Sequence, residues 1–315
     1  MNENVVSLGK DFSQLFGQDR VRHSVGLSQF TSFGVGGNAD WFLDTCSFEE
    51  VVKAVQFSYE RHLPVTFLGG GTNVLIGEKG IRGLVIRIFR GEISLQKTGV
   101  VRASSGVTLN RLIRWMIKRG LGGLEMWAGT PGTVGGGIHG NAHFRGRLIG
   151  ERLLRVGLVS RAGAERVVDA EALDLSYDKS RLRESGEAIL WAEFSCTNAS
   201  ASDLRFNARK SLKFRKQTQP LAYPSAGCIF QNPQQSFDQI PAGIPCSAGA
   251  LIDKAGLKGS SVGNALVSKV HGNFIVSAGV VKPSEIRELI EECRERVSQK
   301  FGITLRDEII YLGEF

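Results

Sequence analysis

Six glycines fall within the twelve residues GTPGTVGGGIHG, Gly129–Gly140, and no feature of the chain restricts its fold more. Glycine gives up more conformational freedom on folding than any other residue, so such density needs a reason beyond turn formation. Backbone stripped of side chains can lie directly against a flat ligand, or fill a crowded helix–strand junction. A second cluster, Gly69-Gly70-Gly71-Thr72-Asn73, lies about 60 residues earlier, between the extended runs PVTFL and GLVIRI. It matches neither GxGxxG nor a Walker A loop, because no Gly-Lys-Ser/Thr follows. Its successive backbone N–H groups, with donors from Thr72 and Asn73, still suit a phosphate. A tight turn would need one or two glycines, not three. Two such loops behind different helices point to one extended dinucleotide held between two lobes.

The spacing of apolar residues places the elements around these loops. Ser47 to Glu50, SFEE, has the capping-box pattern, and Phe48, Val51, Val52 and Val55 extend a helix to about Arg61. Leu109, Leu112, Ile113, Met116 and Ile117 form one helical stripe, ended by Gly120. RLLRVGLVSRAG and GEAILWAEFSC read as strands, as does the terminal EIIYLGEF, and the part from about Arg209 on also holds short apolar runs such as ALVSKV and NFIVSAG. Pro283 opens a long helix with the stripe Ile286, Leu289, Ile290, Cys293 and Val297, closed by Gly302, which makes Cys293 a core residue.

Composition narrows the function classes. With 315 residues, 42% hydrophobic and 22% charged, the chain suits a soluble protein of two or three domains. No run approaches the roughly 18 apolar residues of a membrane span, and MNENVVSLGKDFSQ lacks the pattern of a signal peptide. Five cysteines without paired spacing fit reduced thiols, so a cytoplasmic protein without membrane insertion is expected. Neither CxxC nor HExxH occurs, and no metal site is expected. The net charge of +8 comes from basic residues interspersed with acids, without interleaved aromatics. That pattern favours a small polyanionic ligand over nucleic acid. The densest basic stretch, RFNARKSLKFRK, Arg205 to Lys216, reads as a solvated helix face.

The stretch YPSAGCIFQNP, Tyr223 to Pro233, holds Cys228, which is a small buried filler, a stray thiol or a group that moves a proton. Together with FGVGGNA, LGGGTNVLI and GTPGTVGGGIHGNA, then AGALIDKAGLKGSSVGNALVSKVHGNFIV and FGITLRDEI, it resembles UDP-N-acetylenolpyruvoylglucosamine reductase. The resemblance runs in order through nearly the whole chain past about residue 25, and is closest to the shorter members. It implies an α+β fold: a two-lobed FAD-binding fold of the vanillyl-alcohol-oxidase type plus a C-terminal α+β substrate domain. The expected parts are 1–92, 93–208 and 209–315, with room for the last strand to pack back on an earlier lobe.

The resemblance also implies a reaction of peptidoglycan precursor synthesis. NADPH reduces bound FAD, and hydride then passes to the enolpyruvyl double bond of a UDP-sugar, giving UDP-N-acetylmuramate. Charge develops as an enolate on the carboxylate, and a general acid protonates the neighbouring carbon. Cys228 stands where many members carry the proton-donating serine. A thiol, with an ordinary pKa of about 8.5, keeps its proton at neutral pH yet can release it. Glu308 matches the family's active-site glutamate, while Asn232, Tyr177 and His271 match substrate contacts, although His271 equally suits a structural role. Gly69, Gly70, Gly71, Thr72, Asn73, Gly129, Pro131, Gly132, Gly135, Gly136, Gly140 and Asn141 are the implied FAD contacts. NADPH is the co-substrate, the UDP-sugar the partner, and a monomer is expected.

One departure matters. The family's Tyr-Arg-x-Ser arginine, which holds the substrate carboxylate, is replaced in Tyr177-Asp178-Lys179-Ser180-Arg181 by Asp178. An acid cannot stabilise an enolate, so Arg181, or else Lys179, is expected to supply the positive charge. Gly34, Gln231, Arg306 and Thr218 are milder departures. Two other readings stay open. A flavin oxidase of the same fold could use His139 or His143 for covalent attachment, and a non-catalytic UDP-sugar binder would explain Asp178.

Overall fold

A computed structural model describes residues 3–315, and these divide into two units that interleave along the chain. The first holds the residues up to Val25, Ala39–Gly70 and Arg82–Lys213. Gly26–Asn38, Gly71–Ile81 and Phe214–Phe315 form the second, so the division cuts the first glycine-rich loop between Gly70 and Gly71.

In the first unit, strands Val21–Gly26, Asn38–Thr45, Ile81–Ile88 and Val65–Leu68 make a sheet in that order, with the last pair parallel and Val65 opposite Leu84. Phe12, on helix α1 (Glu3–Phe16), packs its ring at a tilt 5.1 Å from that of Trp41 and 5.0 Å from that of Phe57. Helix α2 (Phe48–Glu60) starts where SFEE predicts, the Ser47 hydroxyl accepting from the Glu50 N–H at 3.2 Å. Its Val51, Ala54 and Val55 bury against Leu43, Leu84 and Ile86.

A second sheet of the same unit is antiparallel, in the order Glu165–Asp169, Leu153–Val159, Ala188–Ser195, Val100–Ser104, Ile93–Lys97. Helix α3 (Leu109–Lys118), capped by Thr108, buries its whole predicted stripe in a core with Val101, Ala103, Ala192 and Phe194. Each large apolar side chain buried in this way contributes roughly 1.5–3 kcal/mol. The second glycine-rich loop leads into the short helix α4 (Val134–His139), and a single turn, α5 (Leu182–Ser185), precedes the strand Ala188–Ser195.

Helix α6 (Ala201–Thr218) carries the basic stretch. Most of its cations are exposed, as a solvated face requires, but its buried positions are Leu204, Ala208, Ser211 and Arg215, one stripe at helical spacing. One arginine of the run therefore points inward.

The second unit is built on α7 (Ala248–Lys254), α8 (Pro283–Phe301) and a three-stranded sheet of Ser261–Val262, Ala265–Val267 and Ile275–Ser277. Ile286, Leu289, Ile290, Cys293 and Val297 of α8 are all buried in its core. The terminal strand Ile310–Leu312 pairs in parallel with Val74–Ile76, directly after the first glycine-rich loop.

Glu193 sits in the middle of the antiparallel sheet with a side chain only 3% exposed. Arg102 and Arg155, its neighbours on the two flanking strands, bind it at 2.7 and 2.6 Å. Burial alone would raise its pKa, but hydrogen bonds from Arg155 and Arg102, with their charges, hold it below the ordinary carboxylate range. A depressed carboxylate pKa contributes stability that is complete above the unfolded value and is lost as pH falls through the folded one. Glu193→Gln is expected to cost about 1–3 kcal/mol at neutral pH, and to flatten the acid side of the stability profile below about pH 5. Thermal melting across that range checks this, and an unchanged acid slope in the variant contradicts it.

Candidate active site

The first unit joins the two glycine-rich loops. A Cβ on Gly69 would lie 2.5 Å from the Thr133 hydroxyl, so the first loop passes directly over the start of the second. Thr133 caps α4 by accepting from the Gly136 N–H at 3.3 Å. On the far side of that helix, a Cβ on Gly135 would come within 2.9 Å of the Ser105 Cβ. Asn110, at the start of α3, clamps the loop with both ends of its amide: it accepts from Gly129 N–H at 2.7 Å and donates to the Thr130 carbonyl at 3.0 Å. Gly129 and Gly132 have φ of 87° and 97°, backbone that side-chain-bearing residues rarely adopt. Pro131 and Gly136 are exposed, and Gly140 is half-buried. Asn141 is fully buried, bridging the Gly150 N–H and the Ser176 carbonyl, so it shapes the loop from beneath.

This floor fits a polar, flat group. Its surface is glycine, and the Ser105 hydroxyl beneath it is buried without a hydrogen-bond partner. The Ser180 hydroxyl ties the 176–180 segment to the same loop by donating to the His139 carbonyl at 2.6 Å. Tyr177 lies with its ring 4.6 Å from that of His143. Asp178, at φ 50° and 5% exposed, pairs at 2.5 Å with Arg183, whose guanidinium also lies 3.4 Å from where a Gly140 Cβ would be. Arg181 points elsewhere, bound to the Glu187 carboxylate at 2.7 Å and to the Ala172 carbonyl at 2.5 Å. Lys179 is exposed and reaches Asp174 at 3.5 Å. Burial, and then the Arg183 charge, pull the pKa of His139 down to about 4, so its ring is neutral at physiological pH.

In the second unit, Gly71 has φ 61°, and a Cβ there would sit 1.9 Å from the Phe30 carbonyl oxygen. Two residues on, the Asn73 amide donates to the Glu308 carbonyl at 3.1 Å, and the Asn73 carbonyl accepts from the Ile310 N–H at 3.0 Å. The first loop thus fixes the segment that carries Glu308. Cys228 is fixed from the other direction. Phe230 and Asp307 form an antiparallel bridge, the Gln231 N–H donates to the Arg306 carbonyl at 2.8 Å, and the Glu308 N–H donates to the Ile229 carbonyl at 2.8 Å.

Asn273, only 2% exposed, clamps the same strand. Its side chain accepts from Phe230 N–H at 2.9 Å and donates to the Phe230 carbonyl at 2.7 Å, while its own carbonyl accepts from Ile229 N–H at 3.0 Å. His271 holds Asn273 in turn: its Nδ1 accepts the Asn273 N–H at 3.2 Å, and its ring packs on Phe274 and against Gly249. Burial, with the Lys258 charge, keeps the His271 pKa low. The Asn232 side chain accepts from Ala248 N–H, the first residue of α7, at 3.1 Å.

Cys228 is half-buried between the buried Ala226 and Ile229. Burial and then the Glu308 carboxylate push its thiol well up, while Arg215 and a hydrogen bond from Asn273 act in the opposite sense. Its proton therefore stays in place at neutral pH. Arg215 and Asn273 were not singled out by the sequence analysis. The periodicity of α6 marks Arg215, while Asn273 carries no signal beyond its place in HGNF.

Comparison with known proteins supplies the family. Residues 45–168 match an FAD binding domain, and residues 219–312 match the C-terminal domain of UDP-N-acetylenolpyruvoylglucosamine reductase. The reductase of Acaryochloris marina is 34% identical over 302 residues, 95% of each chain. That of Synechococcus sp. strain WH7803 is 36% identical over 299 residues, 93% of each. This chain belongs to the UDP-N-acetylenolpyruvoylglucosamine reductase family. The crystal structure of the Thermus caldophilus reductase superposes with a TM-score of 0.76 at 31% identity, covering 93% of this chain and 99% of that one. The fold is accordingly an FAD-binding fold of the vanillyl-alcohol-oxidase type with a C-terminal α+β domain, and the cofactor is FAD. Among the described residues, no helix is long and apolar enough to cross a membrane.

Gly71→Ala tests the geometry of the first loop. Both the φ and the contact with backbone oppose a side chain there, so the substitution is expected to cost about 2 kcal/mol or more. A lowered melting temperature and weaker FAD retention on gel filtration are expected, and wild-type values of both contradict the placement.

Proposed function

We propose that this family member reduces the enolpyruvyl group of UDP-N-acetylenolpyruvoylglucosamine to UDP-N-acetylmuramate, with FAD as cofactor and NADPH as electron donor. The observation that carries the reading is the bridge that sets Cys228 beside Glu308, a proton-bearing thiol next to a carboxylate. FAD, when bound, supplies the hydride that it has taken from NADPH. The chain's own residues do the rest.

Cys228 holds a proton for the carbon that bears the substrate's carboxylate, and delivers it as charge develops there. Glu308 is the companion carboxylate at that centre, held in position by Asn73 and by the Ile229 carbonyl. Asn232 and Tyr177 are assigned to the UDP-sugar. His271 acts by holding Asn273, since its Nδ1 is already occupied within the protein. The residues assigned to FAD are Gly69, Gly70, Gly71 and Thr72 of the first loop, and Gly129, Pro131, Gly132, Gly135, Gly136 and Gly140 of the second. Asn141 supports them from below.

The cation expected for the substrate carboxylate is better assigned to Arg183 than to Arg181. Arg181 is tied to Glu187 and the Ala172 carbonyl, whereas Arg183 pairs with Asp178 beside Gly140. A cytoplasmic monomer completes the reading.

The test is anaerobic. NADPH is expected to bleach the flavin band of the purified holoenzyme, and UDP-N-acetylenolpyruvoylglucosamine to restore it within one turnover. Arg183→Ala is expected to slow the restoration more than Arg181→Ala. Recovery only on admitting oxygen would contradict the assigned substrate and favour an oxidase.

A further inference from the structure

Glu193, Glu187, Asp178 and Asp307 each hold one or two arginines, which neutralises positive charge where it stands. Two helices of the first unit depart from that pattern. Helix α3 and its last cap residue carry Arg111, Arg114, Lys118 and Arg119, all exposed, and no acid. Along α6 as far as Lys213, Arg205, Arg209, Lys210 and Lys213 are likewise exposed, against the single acid Asp203. Eight cations against one acid come close to the net charge of +8 that the whole chain carries. Where these cations have partners among the described residues, the partners are carbonyl oxygens and rings. Arg111 donates to the Gly91 carbonyl at 2.8 Å and Arg114 to the Asn110 carbonyl at 3.2 Å. Glu125, which follows α3, is occupied with the Gly123 N–H at 2.7 Å.

The end of α3 adjoins the start of α6. Leu121 and Gly122, just past α3, pair with Asn198 and Thr197, just before α6. The Ala199 N–H donates to the Gly120 carbonyl at 2.8 Å, and a Cβ on Gly122 would lie 2.9 Å from the Leu204 side chain. Leu204 and Ala208 of α6 then bury in the same core as Leu112, Ile113 and Met116 of α3. Like charges gathered in this way repel one another and work against the fold. A counter-charge from outside the chain relieves that repulsion.

The apolar residues of α6 indicate what brings it. The helix buries Leu204, Ala208 and Ser211, yet leaves Phe206 58% and Leu212 40% exposed, the reverse of a helix that is merely solvated. Arg205, Arg209 and Lys213 recur every four residues and line one exposed face, with Leu212 on one flank and Phe206 on the other. The Lys210 ammonium lies 4.3 Å from the Phe206 ring, and the Arg119 guanidinium 3.9 Å from the ring of half-buried Trp115. Rings covered by their own cations are poorly placed to stack on bases, which single-stranded nucleic acid requires. A protein interface keeps charge out of its apolar centre, whereas here cations run between the apolar groups. A lipid surface accepts both. Apolar groups enter the boundary between headgroups and acyl chains, while lysine and arginine stems reach back to the phosphates.

We propose that the adjoining exposed faces of α3 and α6 dock on an anionic phospholipid surface, by adsorption and without a spanning helix. Phe206 and Leu212 enter the headgroup boundary, and Arg205, Arg209 and Lys213 meet the lipid phosphates. The inference does not depend on the reductase reading, since none of these residues belongs to the glycine-rich loops or to the surroundings of Cys228.

The test is sedimentation of the purified holoenzyme with vesicles of equal parts phosphatidylglycerol and phosphatidylcholine, and with vesicles of phosphatidylcholine alone. Binding to the first and not to the second is expected, and it should weaken as salt is raised and the Debye length contracts. Arg209→Glu combined with Lys213→Glu should weaken binding about thirtyfold or more, each cation near the surface being worth roughly fivefold. Phe206→Ser combined with Leu212→Ser should weaken it about tenfold with an unchanged salt dependence. Both pairs alter exposed groups only, so melting temperature and bleaching of the flavin by NADPH should match the wild type.

Holoenzyme that stays in solution with the anionic vesicles would overturn the proposal, as would undiminished binding by the charge-reversed pair. Undiminished binding by the serine pair would overturn it too, and equal affinity for double-stranded DNA would then identify a nucleic-acid surface.

Discussion

The site depends on one short antiparallel contact, the bridge between Phe230 and Asp307. Through it the segment holding Cys228 and the segment holding Glu308 lie side by side although about 80 residues separate them in sequence. Neither segment is a long strand, and a bridge of this length would fray in isolation. Asn273 makes it rigid by engaging both the donor and the acceptor of Phe230 in a buried setting. Asn73 and Arg294 secure the other side, the first at the Glu308 carbonyl and the second on the Asp307 carboxylate and the Leu305 carbonyl. In a half-buried place each of these bonds also satisfies a polar group that would otherwise cost about 1–3 kcal/mol.

The electrostatics follow from that placement. A carboxylate beside a thiol keeps the thiol protonated, which a general acid needs before it acts and which hinders it afterwards. Serine in the same place would need a stronger counter-charge, because an alkoxide is harder to form than a thiolate.

Much of this was legible in the sequence where a local pattern has a single physical meaning. SFEE fixed the start of α2, Pro283 and Gly302 bounded α8, and the stripe of α3 was buried entirely. Both glycine-rich loops form where expected, and Gly69 meets Thr133. What depended on distant contacts was not legible. The interleaving of the two units follows in part from the pairing of Ile310 with Val74, which no local pattern encodes. Arg215 was read with its exposed neighbours because composition hides direction, although Leu204, Ala208 and Ser211 mark its face. The choice between Arg181 and Arg183 turns on Glu187, which captures the first and leaves the second to Asp178.

The most direct test of the account removes the thiol. In Cys228→Ala holoenzyme, the flavin should still bleach with NADPH, while its reoxidation by UDP-N-acetylenolpyruvoylglucosamine should fall by about a hundredfold or more, the usual worth of a general acid. Cys228→Ser should retain measurable turnover. Reoxidation of the alanine variant at the wild-type rate would contradict the claim that Cys228 delivers the proton.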